Sequence, residues 1–292
     1  MRSLLFTPGD SERMLAKAPS CGADVILIDL EDAVVSDAKP GARGMVVAFL
    51  LEQRASTGVA PIYVRINDLE TEWAEDDLAA IIPAGPAGIM LPKARSYGDV
   101  ERLTAMLDTL EKDAELKPGQ TSIIVIAPEI PEALLNMASF QKCGPRVSGI
   151  SWGSEDLATG LGARSSRDDE NRYRTPIELA RTLCLCAGSA AGIHALDTVY
   201  VDFRDLDGLR HDAERAAADG FSGKFAIHPG QVPVINAAFT PSHDELARAR
   251  AVVAAFEANP GAGAINLDGV MTDLPHLVHA QKILQRAKAD QG

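Results

Sequence analysis

Charged and polar residues follow most of the short apolar runs of this 292-residue chain, at the points where predicted strands end. In chain order they are Asp29-Leu30-Glu31-Asp32, Arg65-Ile66-Asn67, Pro92-Lys93, Pro128-Glu129, Gly153-Ser154-Glu155-Asp156 and His228-Pro229. A charge that ends a buried run is costly unless it is paired or bound to a metal. Carboxylates that converge from several strands suit a hard divalent cation such as Mg²⁺. Arg65 would add a fixed cation for a substrate carboxylate or a developing enolate.

Each of these residues also has an ordinary structural interpretation. Asp32 and Asp156 could cap helices, and Lys93 could pair with a neighbouring acid. His228 precedes a proline and fits a structural histidine better than a catalytic one. The indication of a site is therefore the convergence of these residues on one face, and not any single residue.

Eight short apolar runs, each followed by a helical pattern, would position these residues. The predicted strands are Ser3–Thr7, Asp24–Leu30, Pro61–Asn67, Gly88–Pro92, Ser122–Ala127, Val147–Trp152, Thr198–Phe203 and Lys224–Ile227. The predicted helices are Glu12–Ala18, Pro40–Arg54, Glu75–Ile82, Tyr97–Leu116, Pro131–Phe140, Pro176–Ala190, Leu206–Ala218 and His243–Ala258. Continuous apolar runs such as Ile123-Ile124-Val125-Ile126 are typical of strands that are buried on both faces.

Eight strand–helix units predict an α/β fold, a (β/α)8 TIM barrel, with its chemistry where the strands end. A doubly wound sheet is the alternative, but it usually has fewer strands and often a Gly-rich dinucleotide turn, which the sequence lacks. We expect residues 1–260 to form the barrel. Residues 261–292, with a helix at His276–Ala289, are expected to form a C-terminal helical lid over the barrel mouth.

The composition excludes several classes of function. With 41 acidic and 28 basic residues the net charge is -13, and no basic patch offsets it. We therefore expect no nucleic-acid partner and no membrane partner. No apolar run approaches the ~18 residues that a spanning helix needs. The four cysteines form no CxxC pair. We interpret them as small buried hydrophobic residues of a protein in a reducing compartment. The predicted location is therefore cytoplasmic.

Seven short motifs occur in a fixed order along the chain. They are Arg2-Ser3-x-Leu5-Phe6-x-Pro8-Gly9, Asp29-Leu30-Glu31-Asp32-Ala33-Val34, Val64-Arg65-Ile66-Asn67, Leu91-Pro92-Lys93, Trp152-Gly153-Ser154-Glu155-Asp156-Leu157, Gly220-Phe221-x-Gly223-Lys224-x-x-Ile227-His228-Pro229 and Gly269-x-Met271-x-Asp273-x-Pro275-His276. In this order they resemble the citrate lyase beta-subunit-like CoA-ester lyases of the HpcH/HpaI aldolase superfamily, which include malyl-CoA and citramalyl-CoA lyases.

The resemblance implies a lyase that depends on Mg²⁺, or on Mn²⁺, and acts on a coenzyme A thioester. The substrate would be a 3-hydroxyacyl-CoA of the malyl-CoA, methylmalyl-CoA or citramalyl-CoA type. Cleavage between C2 and C3 would yield an acyl-CoA and a 2-oxoacid, and the reverse condensation would use the same site. Thioester hydrolysis is a further activity that such a site permits.

The resemblance also assigns roles to individual residues. By match to the family motifs, Glu129 and Asp156 are the metal ligands, Asp29 and Asp32 lie near the metal and act through water or behind the ligands, Arg65 and Asp273 are catalytic, and Phe6, Arg13 and Lys17 contact CoA. Asp273 would lie on a lid that closes over the barrel of a neighbouring subunit. The implied assembly is a homo-oligomer, a trimer or a hexamer, with lids exchanged between subunits.

Two departures from the family pattern and three other functions stay open. Ala127-Pro128-Glu129-Ile130-Pro131 lacks the threonines that commonly flank the glutamate, and Val270 stands where a lysine is common. The other functions are a citrate lyase beta subunit acting on a carrier-bound citryl thioester, a CoA-independent 2-oxoacid aldolase and a non-catalytic binding subunit.

Overall fold

Eight parallel strands form a closed barrel in which each strand neighbours the next along the chain. The computed structural model describes residues 1–54 and 56–289. The barrel strands are β1 Ser3–Pro8, β2 Val25–Asp29, β3 Ile62–Arg65, β4 Gly88–Leu91, β5 Ser122–Ile126, β6 Val147–Ser151, β7 His194–Asp197 and β8 Gly223–Ala226. The predicted (β/α)8 TIM barrel is confirmed.

Helices cover the barrel and continue beyond it. They are α1 Glu12–Lys17, α2 Lys39–Arg54, α3 Ala74–Ile81, α4 Tyr97–Asp113, α5 Pro131–Leu135, α6 Ser154–Gly160, α7 Thr175–Ala191, α8 Leu206–Asp219, α9 Val232–Phe239, α10 His243–Glu257 and α11 Leu274–Ala289. The single helix predicted over Pro131–Phe140 is wrong, because it divides into α5 and a 3-10 helix at Met137–Gln141. The sequence pattern does not predict α6 and α9.

The seventh strand lies earlier than predicted. The run Thr198–Phe203 has alternating β-branched and aromatic residues, yet it follows the strand instead of forming it. Helix α7 is followed by Gly192, whose φ of 70° ends the helix in the left-handed conformation. The chain then forms β7, which begins at His194, two residues after Gly192. The run predicted as a strand is therefore the loop that follows β7. The prediction for this strand is therefore wrong.

Alternate residues of the strands fill the barrel interior. Val25 and Leu27 of β2 and Tyr63 of β3 are buried in the central apolar cluster. Residues two apart on a strand face the same side. Asp29 and Arg65 therefore continue these interior rows at the ends of β2 and β3, where they are direct register partners. The pleat of the two strands thus brings an acid and a base together at the barrel mouth.

The chain divides into two compact units, Met1–Asn236 and Ala237–Gly292. In the second unit α10 packs against α11, with Ala249, Val252 and Phe256 buried together with Ala280. Strands β9 Ala264–Leu267 and β10 Val270–Asp273 form an antiparallel hairpin before α11. The division precedes the boundary expected after residue 260, because α10 belongs to the second unit. Residues 290–292 of the expected lid lie outside the described residues.

Two further observations bear on the expectations from composition. All four cysteines are free thiols. The prediction that they are buried holds for Cys184 and is wrong for Cys186, which is exposed, while Cys21 and Cys143 are only partly buried. Within residues 1–54 and 56–289, no helix is both long enough and apolar enough to cross a membrane.

Candidate active site

A cleft of about 390 Å³ opens where the barrel strands end. It is lined by Phe6, Arg65, Ile126, Glu129, Trp152, Gly153, Ser154, Glu155, Asp156, Thr198, Val199 and Phe225. Four residues that the sequence marks for function, Phe6, Arg65, Glu129 and Asp156, therefore share one cleft. The site combines acidic groups, one arginine and an apolar wall.

The carboxylates of Glu129 and Asp156 approach each other beside Gly153. Gly153 immediately precedes α6, and Asp156 lies in the first turn of that helix. A Cβ atom on Gly153 would lie 2.7 Å from the Glu129 Cβ, 2.9 Å from Glu129 Oε2 and 3.7 Å from Asp156 Oδ2. Any larger residue would collide with the glutamate. Glycine thus leaves room where oxygens from both carboxylates reach one point.

Glu129 is placed where a lone negative charge is unfavourable. The residue is 2% exposed. Burial, together with the charges of Glu31 and Asp156, raises the pKa of Glu129 to about 8, although the backbone N–H and the ammonium of Lys93 oppose this. A buried acid with acidic neighbours ionises readily only when a cation is beside it.

This donor set fits a divalent cation. In the part of the chain that the structure describes, no three His, Cys, Asp or Glu side chains are grouped as a metal cluster. The protein's share would be the two carboxylates of Glu129 and Asp156. Mg²⁺ commonly takes one or two carboxylates from a protein and completes its octahedron with water and substrate oxygens. The room beside Gly153 and the unfavourable buried charge agree with such an ion.

Arg65 is held by three acidic side chains. Its Nε donates to Asp29 Oδ1 at 2.8 Å and its Nη2 donates to Asp29 Oδ2 at 2.7 Å. Its Nη1 lies 3.0 Å from Glu31 Oε2 and 3.5 Å from Asp32 Oδ2. Burial would raise the pKa of Asp29, but the guanidinium and the N–H groups of Glu31 and Ala33 hold that pKa below its ordinary value. Asp29 is therefore an ionised partner that orients Arg65.

Phe6 supports Arg65 from another direction. The guanidinium carbon lies 4.9 Å from the centre of the Phe6 ring. This distance is within the range of a cation–π contact. The Phe6 ring also meets Phe225 edge to face, with 5.2 Å between the ring centres. Phe6 thus lies at the cleft, as the sequence implies.

Arg13 and Lys17 lie on α1, outside the residues that line the cleft. Both side chains are exposed and lie four residues apart, on one face of the helix. Among the described residues neither forms an ion pair with an acid. Their role in CoA binding remains a prediction.

Glu31 and Lys93 join the site, although the sequence assigns neither of them a role in chemistry. The Lys93 ammonium contacts Glu31 Oε1, and the Lys93 backbone N–H donates to Glu129 Oε1. Burial raises the pKa of Glu31 to about 7, against the charges of Arg65 and Lys93. The expectation that Lys93 pairs with a neighbouring acid is confirmed. Both residues stand in the charged runs at strand ends from which the sequence predicts a site, although that pattern does not indicate their individual roles.

Trp152 forms part of the cleft wall, and a buried hydrogen bond to Asp197 fixes its ring. Its Nε1 donates to Asp197 Oδ1 at 3.0 Å. Lys224, which is fully buried, pairs with Asp197 at 2.7 Å and with Asp212 at 2.8 Å. Because a buried charge needs a close partner, this group is self-compensating. It fixes the ring of Trp152 beside the carboxylate pair.

Two other residues from the sequence lie elsewhere. His228 Nδ1 accepts a hydrogen bond from Gly230 N at 3.0 Å, which is a structural role. Asp273 lies in the second unit at the end of β10, where its carboxylate contacts the imidazole of His276. Its side chain is 35% exposed. The catalytic role of Asp273 remains a prediction.

The fold and the cleft define a class: a (β/α)8 barrel with an acidic pair and a clamped arginine at its strand ends, suited to a divalent cation and an anionic substrate. The family model of HpcH/HpaI aldolase/citrate lyase matches residues 2–229. The chain belongs to this family, which confirms the resemblance seen in its motifs.

Similar proteins cover nearly the whole chain. A citrate lyase subunit beta-like protein of Mycobacterium tuberculosis is 38% identical over 283 residues, covering 97% of this chain and 94% of that protein. A (3S)-malyl-CoA thioesterase of Cereibacter sphaeroides is 36% identical over 290 residues, covering 99% and 95%. The crystal structure of CitE from M. tuberculosis in complex with magnesium, acetoacetate and coenzyme A has a TM-score of 0.78 at 35% identity, covering 98% of each chain.

Proposed function

We propose that this protein is a Mg²⁺-dependent carbon–carbon lyase that cleaves a 3-hydroxyacyl-CoA between C2 and C3. The products are an acyl-CoA and a 2-oxoacid, and the reverse condensation uses the same groups. The observation that carries the proposal is the convergence of Glu129 and Asp156 beside Gly153, in one cleft with Arg65. The relatives named for malyl-CoA and bound to magnesium and coenzyme A support the substrate class.

Glu129 and Asp156 would hold the cation, Mg²⁺ or Mn²⁺. When bound, the cation supplies a Lewis acid that polarises the oxygens of the substrate hydroxyl and carboxylate. Asp32, with a side chain 55% exposed, lies 3.5 Å from Arg65 and adds negative charge near the site. Asp29 acts differently, because both of its oxygens are committed to Arg65.

Arg65 stabilises the negative charge of the enolate that cleavage leaves on the acyl-CoA. Its guanidinium is already fixed by Asp29 and Phe6, so little reorganisation is needed as charge develops. The planar fork also suits the carboxylate of a 2-oxoacid. As the C3 hydroxyl loses its proton to water and becomes the carbonyl of the 2-oxoacid, the electron pair of the C2–C3 bond passes to C2. The enolate charge is then shared with the thioester oxygen beside the Arg65 guanidinium.

Asp273 supplies the proton that converts the enolate to the acyl-CoA, and in condensation it removes that proton. A mobile segment that carries an acid can complete a site when it closes. We place Asp273 over the barrel of a neighbouring subunit. The protein is then a homo-oligomer, a trimer or a hexamer, in which each site needs two chains.

Phe6, Arg13 and Lys17 are the proposed CoA contacts. Arg13 and Lys17 present two exposed cations on one face of α1, which suits the phosphates of CoA. Phe6 lines the cleft itself. The four free cysteines agree with a reducing compartment, so we place the protein in the cytoplasm.

Thioester hydrolysis is the second candidate function, and the 36% identical malyl-CoA thioesterase favours it. A product assay separates the two activities. Malyl-CoA, methylmalyl-CoA and citramalyl-CoA are each incubated with the protein and Mg²⁺. Carbon–carbon cleavage releases a 2-oxoacid, detected as its hydrazone, without free thiol. Hydrolysis releases the CoA thiol without a 2-oxoacid. If all three thioesters stay intact, the proposed function is wrong.

A further inference from the structure

Lys93 has a backbone conformation that is unusual for its residue type. It lies two residues after the end of β4 and has a φ of 50°. Only four non-glycine residues among those described have a positive φ, and Lys93 is the one that contacts Glu129, a residue of the cleft. L-residues avoid this region because of steric strain, so a residue that stays there is held by its surroundings.

The left-handed turn points the Lys93 backbone N–H at Glu129. That N–H donates a hydrogen bond to Glu129 Oε1. Within residues 1–54 and 56–289, it is the one hydrogen-bond donor to the Glu129 carboxylate. The other oxygen, Oε2, is the one that faces the position of a Gly153 Cβ. Lys93 therefore fixes one oxygen of the buried carboxylate and leaves the second facing the space beside Gly153, which Asp156 Oδ2 also borders.

The side chain of Lys93 connects this turn to the loop that follows β2. Its ammonium contacts Glu31 Oε1 and lies 3.7 Å from Asp32 Oδ1. Glu31 is 6% exposed and its other oxygen lies 3.0 Å from Arg65 Nη1. A glycine would adopt the same φ without strain, but it would lack this tie.

We propose that Lys93 is a positioning residue for the cation site: its ion pair with Glu31 anchors the left-handed turn whose N–H orients Glu129. Lys93 acts through Glu129 and need not touch substrate. The proposal rests on the proposed function, because it takes Glu129 as a ligand of the divalent cation.

A loss of the Lys93 charge and a loss of its positioning contact should change the affinity for a divalent cation in opposite directions. Removal of a nearby positive charge should strengthen cation binding if Lys93 acts only through its charge. Loss of a positioning contact should weaken it, and changes behind a metal ligand typically cost about tenfold or more in affinity. The affinity for Mn²⁺ alone, measured by titration calorimetry without substrate, therefore separates the two effects.

The variants are Lys93→Gly, which permits the turn and removes the tie, and Lys93→Met, which keeps an uncharged stem. Glu115→Gly is the matched control, because Glu115 is exposed, has a φ of 55° and lies outside the residues that line the cleft. Thermal unfolding reports whether each variant is folded, and Lys93→Met replaces Lys93→Gly if the glycine variant unfolds early.

We expect Mn²⁺ affinity to fall about tenfold or more in both Lys93 variants and to stay within twofold of wild type in Glu115→Gly. Equal or tighter Mn²⁺ binding by a folded Lys93 variant would overturn the positioning role and leave the proposed function intact. A wild-type protein that binds no Mn²⁺ would overturn both, and the two failures are thereby distinguished.

Discussion

Arg65 and Asp29 are joined by two parallel hydrogen bonds, 2.8 Å from Nε to Oδ1 and 2.7 Å from Nη2 to Oδ2. They occupy paired positions at the ends of β3 and β2. Such a two-point contact fixes the plane of the guanidinium as well as its place. The arginine is therefore oriented before any substrate arrives, which is the condition for efficient stabilisation of a developing charge.

Arg65→Lys should lower kcat by about 100-fold or more, although the charge is kept. Lysine is a point charge and cannot form two parallel bonds with Asp29. Steady-state kinetics with the best 3-hydroxyacyl-CoA checks this. Arg102→Lys is the control, because Arg102 pairs with Glu70 on the surface at 2.8 Å. A loss of less than threefold in Arg65→Lys would make Arg65 structural.

The affinity for Mg²⁺ should rise as the pH rises toward 8. Burial and the charge of Glu31 raise the pKa of Glu129 to about 8, so below that pH the carboxyl holds a proton that a cation must displace. Calorimetry in buffers with different heats of ionisation should show about one proton released near pH 7 and almost none near pH 9. The same affinity at pH 6 and pH 8 would argue against Glu129 as a ligand.

Glu111 on α4 should stabilise the fold at neutral pH. It accepts hydrogen bonds from Arg146 Nη2 at 2.7 Å and from the backbone N–H groups of Gly119 and Thr121 at 2.8 and 2.9 Å. Although burial opposes it, these donors lower the pKa of Glu111 to about 2 from 4.5. Because the folded-state pKa is depressed, the stabilisation is present above 4.5 and is lost as the pH falls from 4.5 to about 2.

Glu111→Gln should therefore lower the free energy of unfolding by about 2 kcal/mol at pH 7, and the deficit should shrink near pH 3. Urea unfolding at both pH values measures this. Glu101→Gln is the control, since Glu101 is exposed on the same helix. An equal deficit at pH 3 and pH 7 would show that the carboxylate charge of Glu111 is not responsible.

Asp273 should act on a neighbouring subunit. Glu129→Ala and Asp273→Asn chains, each inactive alone, are co-expressed so that mixed oligomers form. Some sites then combine an intact barrel with an intact lid from another chain, and activity should return. Mixed oligomers verified by mass spectrometry that remain inactive would place Asp273 over its own barrel or outside the chemistry. The pairing of Asp273 with His276 would then be its structural role.

The barrel could be predicted because most of its strands are continuous apolar runs that end in charged residues. The seventh strand could not, because Val199-Tyr200-Val201 has stronger β character than His194-Ala195-Leu196-Asp197. Only the helix end at Gly192 shows which run enters the barrel. The local sequence pattern reports only how well each residue suits a strand. Which of the two runs pairs with β6 and β8 is decided by the closure of the barrel.

The site could be predicted in part. Arg65 is the last residue of β3, where the fold alone directs its side chain to the mouth of the barrel. Glu31 and Lys93 lie in loops just beyond β2 and β4. In a loop the direction of a side chain depends on the backbone torsion angles, and the alternation of side chains along a strand no longer predicts it. The left-handed turn at Lys93 has no sequence signal, because glycine or asparagine is the usual residue there.

Mg²⁺-dependent release of a 2-oxoacid from the panel of 3-hydroxyacyl-CoA thioesters decides whether the protein is a metal-dependent carbon–carbon lyase. With Mg²⁺, we expect the wild-type protein to turn over at least one member, to lose activity in excess chelator and to regain it when Mg²⁺ is restored. Glu129→Ala and Asp156→Ala should release no 2-oxoacid under any of these conditions. Full activity of the wild type in excess chelator, or of either variant with Mg²⁺, would show that cleavage does not depend on a cation held by Glu129 and Asp156.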